Sequence, residues 1–122
     1  MARRHRPHLA RSVANFASAT LADALLDEHS ADELATAFRV IADPARLRIL
    51  SAIANAPEGE VTAGELAAPL GRSQPTISHH LAVLTDAGLV RRDKRGRQAW
   101  YRTAPEQLAI LRNALATAKI NV

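Results

Sequence analysis

The sequence predicts a mainly α-helical fold of the α+β class, with about five to six helices and one β-hairpin. Three observations carry that expectation. The 122-residue chain is 48% hydrophobic but only 3% aromatic, the composition of a small helical core built from Ala, Leu, Ile and Val. Apolar residues recur at spacings of three and four through most of its length. One stretch breaks that rhythm: Leu89–Asp93 and Gln98–Arg102 read as two short strands around Lys94-Arg-Gly-Arg97. At this length a single domain is expected over 9–122, preceded by a flexible basic tail over 1–8.

The most informative segment is Thr62–Arg102. Thr62-Ala-Gly-Glu65 is a capping box, in which the threonine closes the first amides of a helix and the glutamate reaches back to the cap. The helix it opens carries Leu66, Ala67 and Leu70 inward and ends at Gly71, which permits a tight turn. Ser73 is then an N-cap, with Pro75 tolerated in the first turn, and a second helix runs to about Ala87. Ile77, Leu81 and Leu84 form its single apolar stripe. Off the stripe lie Gln74, Thr76, Ser78, His79 and Thr85, neutral donors and acceptors suited to base edges in a major groove. The hairpin that follows is basic at its tip, so the whole reads as a winged helix-turn-helix. On this reading Ser73, Gln74, Thr76, Ser78 and His79 contact bases or phosphates, Gln74 and Ser78 being the base readers. Arg95 and Arg97 anchor the wing, assisted by Arg91, Arg92 and Lys94.

The flanking helices follow the same logic. Leu9, Val13, Phe16, Leu21 and Leu25 predict a long first helix to about Glu28. Ser30-Ala-Asp-Glu33 is a second capping box, opening a helix through Leu34, Ala37, Phe38 and Ile41. Asp43 caps the next, with Pro44 at its first position, and that helix ends near Asn55-Ala-Pro57. Thr103-Ala-Pro-Glu106 is a third capping box, opening a last helix through Leu108, Leu111, Ala114, Leu115 and Ala118. The first and last helices have apolar faces too broad for solvent, which assigns them to a homodimer interface; a last helix folded back on its own core is the alternative.

Charge supports a polyanionic partner. The net charge of +4 is unevenly spread. Residues 1–12 carry +4, residues 13–71 carry three arginines against nine acids, and residues 72–102 carry seven cations against Asp86 and Asp93. There is no apolar run of bilayer length and no signal-peptide core after the arginine-rich start, so a cytoplasmic protein without membrane attachment is expected. An enzyme is not expected: the chain has no Gly-rich phosphate loop, no Ser-His-Asp spacing and no cysteine.

The segments Ala42-Asp-Pro-Ala-Arg-Leu-Arg-Ile-Leu-Ser-Ala-Ile53 and Ser73-Gln-Pro-Thr-Ile-Ser-His-His-Leu81, with the hairpin to Arg102, resemble the ArsR/SmtB family of bacterial transcriptional regulators. The resemblance covers roughly Glu33 to Leu115. It implies a small homodimer that binds operator DNA, usually as a repressor released by a metal ion or another inducer. Two of the family's metal sites are missing. Where many members place cysteines, this chain reads Val61-Thr-Ala-Gly-Glu65, and its last helix has no histidine.

The remaining metal-ligating candidates are His5, His8 and His29, with Asp23, Asp27 and Glu28 nearby in sequence. Such a nitrogen and oxygen set suits nickel or zinc. The competing and favoured reading of the same residues is a basic tail with incidental histidines and a His29 at a helix C-terminus, where the dipole favours a cation. The alternative is a metal-independent regulator controlled by a co-regulator protein or a small organic ligand. His79 and His80 diverge by about 100° around one helix and do not grip a single ion.

Overall fold

The computed structural model describes residues 20–117. Five helices and three strands follow in the order α1 (Glu28–Ile41), α2 (Pro44–Ala54), β1 (Val61–Thr62), α3 (Ala63–Leu70), α4 (Gln74–Asp86), β2 (Val90–Arg95), β3 (Gln98–Thr103) and α5 (Pro105–Ala114). The sheet is antiparallel with strand order β1-β3-β2. The expected mainly helical fold with a hairpin wing is therefore present. The expected tail over 1–8 lies outside the described residues.

Three helix starts are those the sequence predicts. Asp43 accepts from the Arg46 amide at 3.1 Å, with Pro44 in the first turn of α2. Thr62 and Glu65 form the reciprocal box at the start of α3: Thr62 Oγ1 accepts from the Glu65 amide at 3.2 Å and Glu65 Oε1 from the Thr62 amide at 2.9 Å. Ser73 Oγ accepts from the Thr76 amide at 3.3 Å and donates to Thr76 Oγ1 at 3.0 Å. Gly71 ends α3 at φ 64°, the left-handed conformation that a side chain resists.

Other expectations are corrected. The described end of the predicted first helix is not helical, because residues 21–24 form a turn. Local side chains take its amides: Asp23 accepts from the Thr20 amide at 3.1 Å and Thr20 Oγ1 from the Ala22 amide at 3.2 Å. Residues 9–19 lie outside the described range. Helix α1 starts at Glu28, not at the Ser30 box, because Asp27 accepts from the Ser30 amide at 2.7 Å and an ionised carboxylate is the stronger cap. The Thr103 box is not formed either. Thr103 is paired with Val90 in the sheet, and the cap position falls to Ala104 with no side-chain bond. Helix α5 stops at Ala114 instead of running on; Ala118 is outside the described residues.

The core joins every element. Ile49 and Ile53 of α2, Ile77, Leu81 and Leu84 of α4, and Leu89 beyond it are fully buried, with Leu34 and Ala37 of α1 and Leu66 and Leu70 of α3 around them. The predicted stripe of α4 is thus its buried side. Leu111 and Ala114 of α5 also pack into this core, whereas Leu25, Leu47 and Leu115 remain exposed. Among the described residues no helix is long and apolar enough to cross a membrane.

Candidate nucleic-acid interface

Burying Ile77, Leu81 and Leu84 turns the opposite side of α4 outward. Gln74, Thr76 and His79 are exposed and Ser78 is half-buried. Ser73 and Thr76 satisfy each other at the helix start. Gln74 and Ser78 share an open cleft of about 480 Å³ with Thr62, Ala63 and Gly64 of the preceding unit and with Arg97, Gln98, Ala99 and Tyr101 of the hairpin. The two residues expected to read bases therefore lie beside the wing. The side chain of Gln74 leans towards α3: its Oε1 stands 3.5 Å from where a Cβ at Gly64 would be.

The wing turns at Gly96-Arg97, between the Arg95–Gln98 pair. Gly96 takes φ 61° while no non-glycine residue among those described has positive φ, the pattern of a hairpin turn with glycine at its first central position. Alternation along the strands then divides the wing cations between two faces. Arg92 and Lys94 stand opposite Tyr101 and Ala99, on the face that borders the α4 cleft. Arg91 and Arg95 are on the other face, with Asp93 and Trp100.

Electrostatics follow that division. Arg91 pairs with Glu106 at the start of α5. Arg95 is held bidentately by Glu60, at 2.8 and 2.9 Å, and by Asp93 at 2.8 Å, and its guanidinium stands 5.4 Å from the Trp100 ring centroid. The hydrogen bonds from Arg95 hold the Glu60 carboxyl below its ordinary range, and Glu60 followed by Asp93 raises the Arg95 guanidinium further above its own. Arg92, Lys94 and Arg97 have no ion pair among the described residues. Of the five wing cations that the sequence nominates, three are unpaired and two are engaged within the chain. Sequence reasoning gave no sign of this, because Glu60 is 35 residues from Arg95. It also passed over Gln98, which lines the cleft beside Arg97; its place next to the turn was the available signal.

Behind the interface, His80 is half-buried and its Nδ1 lies 3.2 Å from a guanidinium nitrogen of Arg46. Burial lowers its pKa, partly opposed by Asp43. Arg46 also donates from Nε to the Val40 carbonyl in the last turn of α1, and Arg48 reaches the Leu70 carbonyl at the end of α3. Both arginines of α2 thus close helix C-termini. His79 and His80 diverge as expected, His79 outward and His80 half-buried against Arg46 of α2.

The metal candidates are not brought together. His5 and His8 lie outside the described residues. His29 is in the first turn of α1, so the helix dipole there opposes a cation, contrary to the C-terminal position expected for it. Its side chain is 82% exposed, with Nε2 3.5 Å from Glu33. Asp23 and Asp27 are occupied as acceptors of backbone amides. Among the described residues no three His, Asp or Glu side chains converge as a metal site.

Comparison with known proteins identifies the framework. Residues 41–93 match the family model described as a helix-turn-helix domain. The chain is 40% identical over 88 residues to the biofilm growth-associated repressor of Agrobacterium fabrum, covering 72% of this chain and 73% of that one. It is 37% identical over 76 residues to the HTH-type transcriptional regulator NmtR of Mycobacterium tuberculosis, covering 62% and 61%. Among solved structures, the AntR antimony-specific transcriptional repressor superposes with a TM-score of 0.62 at 31% identity, over 73% of this chain and 79% of that one. An ArsR-like transcriptional regulator from Rhodococcus sp. RHA1 superposes at 0.59 with 32% identity, over 69% and 76%. These relatives are DNA-binding regulators and not enzymes, and with them this chain belongs to the ArsR/SmtB family of winged helix-turn-helix transcriptional regulators.

Proposed function

We propose that this protein is a repressor that binds an inverted-repeat operator as a homodimer, presenting Gln74 and Ser78 to base edges and Arg92, Lys94 and Arg97 to phosphates. One observation carries the reading: Gln74 and Ser78 of α4 share one cleft with Arg97 of the wing, and Arg92 and Lys94 are the cross-strand partners of Tyr101 and Ala99 in its lining, while Arg91 and Arg95 are neutralised within the chain. Base edges supply sequence choice, and phosphate contacts supply affinity and register. Ser73, Thr76 and His79, exposed at the same end or side of α4, add backbone or edge contacts. Arg91 and Arg95 serve chiefly to fix the hairpin against α5 and the loop before β1.

Dimerisation is supported by Leu25, Leu47 and Leu115, which are exposed in a single chain. Two copies place two α4 helices about one helical turn of DNA apart.

For the inducer, the antimony specificity of AntR cannot simply be transferred, because soft ions are selected by thiolates and this chain has no cysteine. His29 and Glu33 offer one nitrogen and one carboxylate from a single helix face, and His5 and His8 would have to complete a nickel or zinc site. An organic ligand or a partner protein is the alternative source of control. Fluorescence anisotropy on the protein's own upstream DNA, with the metal-free protein and then with nickel or zinc at fixed salt, separates them. An affinity change abolished by His29→Ala supports the metal site. Specific binding indifferent to both ions rejects it, and absence of specific binding rejects autonomous operator recognition.

A further inference from the structure

The geometry points to a ligand site for a small organic cation with an apolar body, in a cleft of about 510 Å³ between the end of α2, α3 and Trp100. Pro57, Leu66, Pro69 and the indole of Trp100 form its apolar walls, and Glu58 and Glu60 stand at its rim. Neither lysine nor arginine is among the residues that line it. A third carboxylate, Glu65, is committed in part to the Thr62 cap amide.

The volume falls within the roughly 300–1,000 Å³ of small-molecule pockets. The lining decides the class of ligand. Glu60 is already paired with Arg95, so the open charge of the cleft is that of Glu58: it repels an anion, and a neutral apolar compound would strip water from it without replacing it. A cation on an aromatic or branched apolar body satisfies the carboxylates and the ring together.

The protein already displays that chemistry on its own side chain. Arg95 presents a planar cation at 5.4 Å from the Trp100 ring centroid while Glu60 grips it at 2.8 and 2.9 Å. Glu58, by contrast, is exposed and has no ion pair among the described residues. An entering amidinium or ammonium therefore binds Glu58 and competes with Arg95 for Glu60 and the indole. Because Arg95 neighbours Lys94 on β2, the cleft gives control by an organic ligand a place next to the wing. That regulatory role rests on the operator reading, whereas ligand binding does not, and the test is read without DNA so that either can fail alone.

Trp100 is the only tryptophan in the chain, so its emission reports on the cleft directly. The full chain is titrated with benzamidine and with benzamide, its neutral counterpart of the same shape. The site predicts a saturable change in emission with benzamidine at about 1 mM or below and binding of benzamide about tenfold weaker or more. Glu58→Gln weakens benzamidine severalfold and the Glu58→Gln, Glu60→Gln pair weakens it further, with unchanged circular dichroism, while Glu106→Gln at the far ion pair leaves it unaltered. Equal binding of benzamide, no saturation by benzamidine, or undiminished affinity in the folded double variant overturns the proposal.

Discussion

Arg46 holds His80 at 3.2 Å through Nδ1 and at the same time binds the Val40 carbonyl, tying α4 to the end of α1. Arginine can only donate, so Nδ1 of His80 is the acceptor and the ring is neutral with its proton on Nε2. Asp43 lies 3.8 Å from the same guanidinium and caps α2.

This bond makes the fold sensitive to acid. Burial depresses the His80 pKa below 6.5, with Arg46, His79 and Arg72 acting in the same direction and Asp43 against it. The unfolded chain then binds the proton more readily, so the contribution of His80 is present above its unfolded pKa and is lost as pH falls through the lower folded value. Urea denaturation from about pH 7.5 down to about pH 5 should show a larger loss of stability in the wild type than in His80→Gln, which keeps an acceptor but does not titrate. Parallel pH profiles would remove His80 from the acid response.

The division of the wing predicts unequal salt effects. Lys94→Ala and Arg97→Ala should each lower the slope of log affinity against log salt by about one phosphate contact on any duplex. Arg95→Ala should leave that slope within about half a contact, because its charge is already matched by Glu60 and Asp93. A full unit lost with Arg95→Ala, measured by anisotropy across a salt series, would mean that this arginine leaves Glu60 to reach DNA.

Base reading predicts a different signature at Gln74. Gln74→Ala should cost about 1–3 kcal/mol on the operator and leave affinity for random duplex nearly unchanged. Competition titrations with the two duplexes check it, and equal losses on both would make Gln74 a backbone contact.

The capping box of α3 is testable by stability alone. Thr62→Ala removes the acceptor for the Glu65 amide and should destabilise the fold by about 1 kcal/mol, whereas Thr62→Ser should retain most of it. Equal urea midpoints for Thr62→Ala and the wild type would show that the box contributes nothing.

What the sequence made legible was what depends on neighbours a few residues apart. The caps at Asp43, Thr62 and Ser73 are each closed within three residues, and the Ile77, Leu81 and Leu84 stripe repeats once per turn. The same local patterns misled where a competitor was present: Asp27 outcompeted Ser30, and Thr103 was already committed to β3. β1 has only two residues and shows no alternation to read. The hairpin itself is legible, although Lys94 and Arg95 belong to β2 and not to the expected tip; which arginines stay unpaired is not legible, since Glu60 and Glu106 come from elements distant in the chain. His29 stands at the start of a helix and not at the expected C-terminus, because the turn at residues 21–24 depends on Thr20 and Asp23 side-chain bonds that apolar spacing does not reveal.

The most direct test of operator recognition by α4 is selection of bound duplexes from a random-sequence library with the wild type and Gln74→Ala in parallel. The proposed homodimer predicts that the wild type enriches an inverted repeat with half-sites about 10–10.5 base pairs apart, and that Gln74→Ala loses preference at one position in each half. Enrichment of no sequence by the wild type, or an identical motif from both proteins, would contradict it.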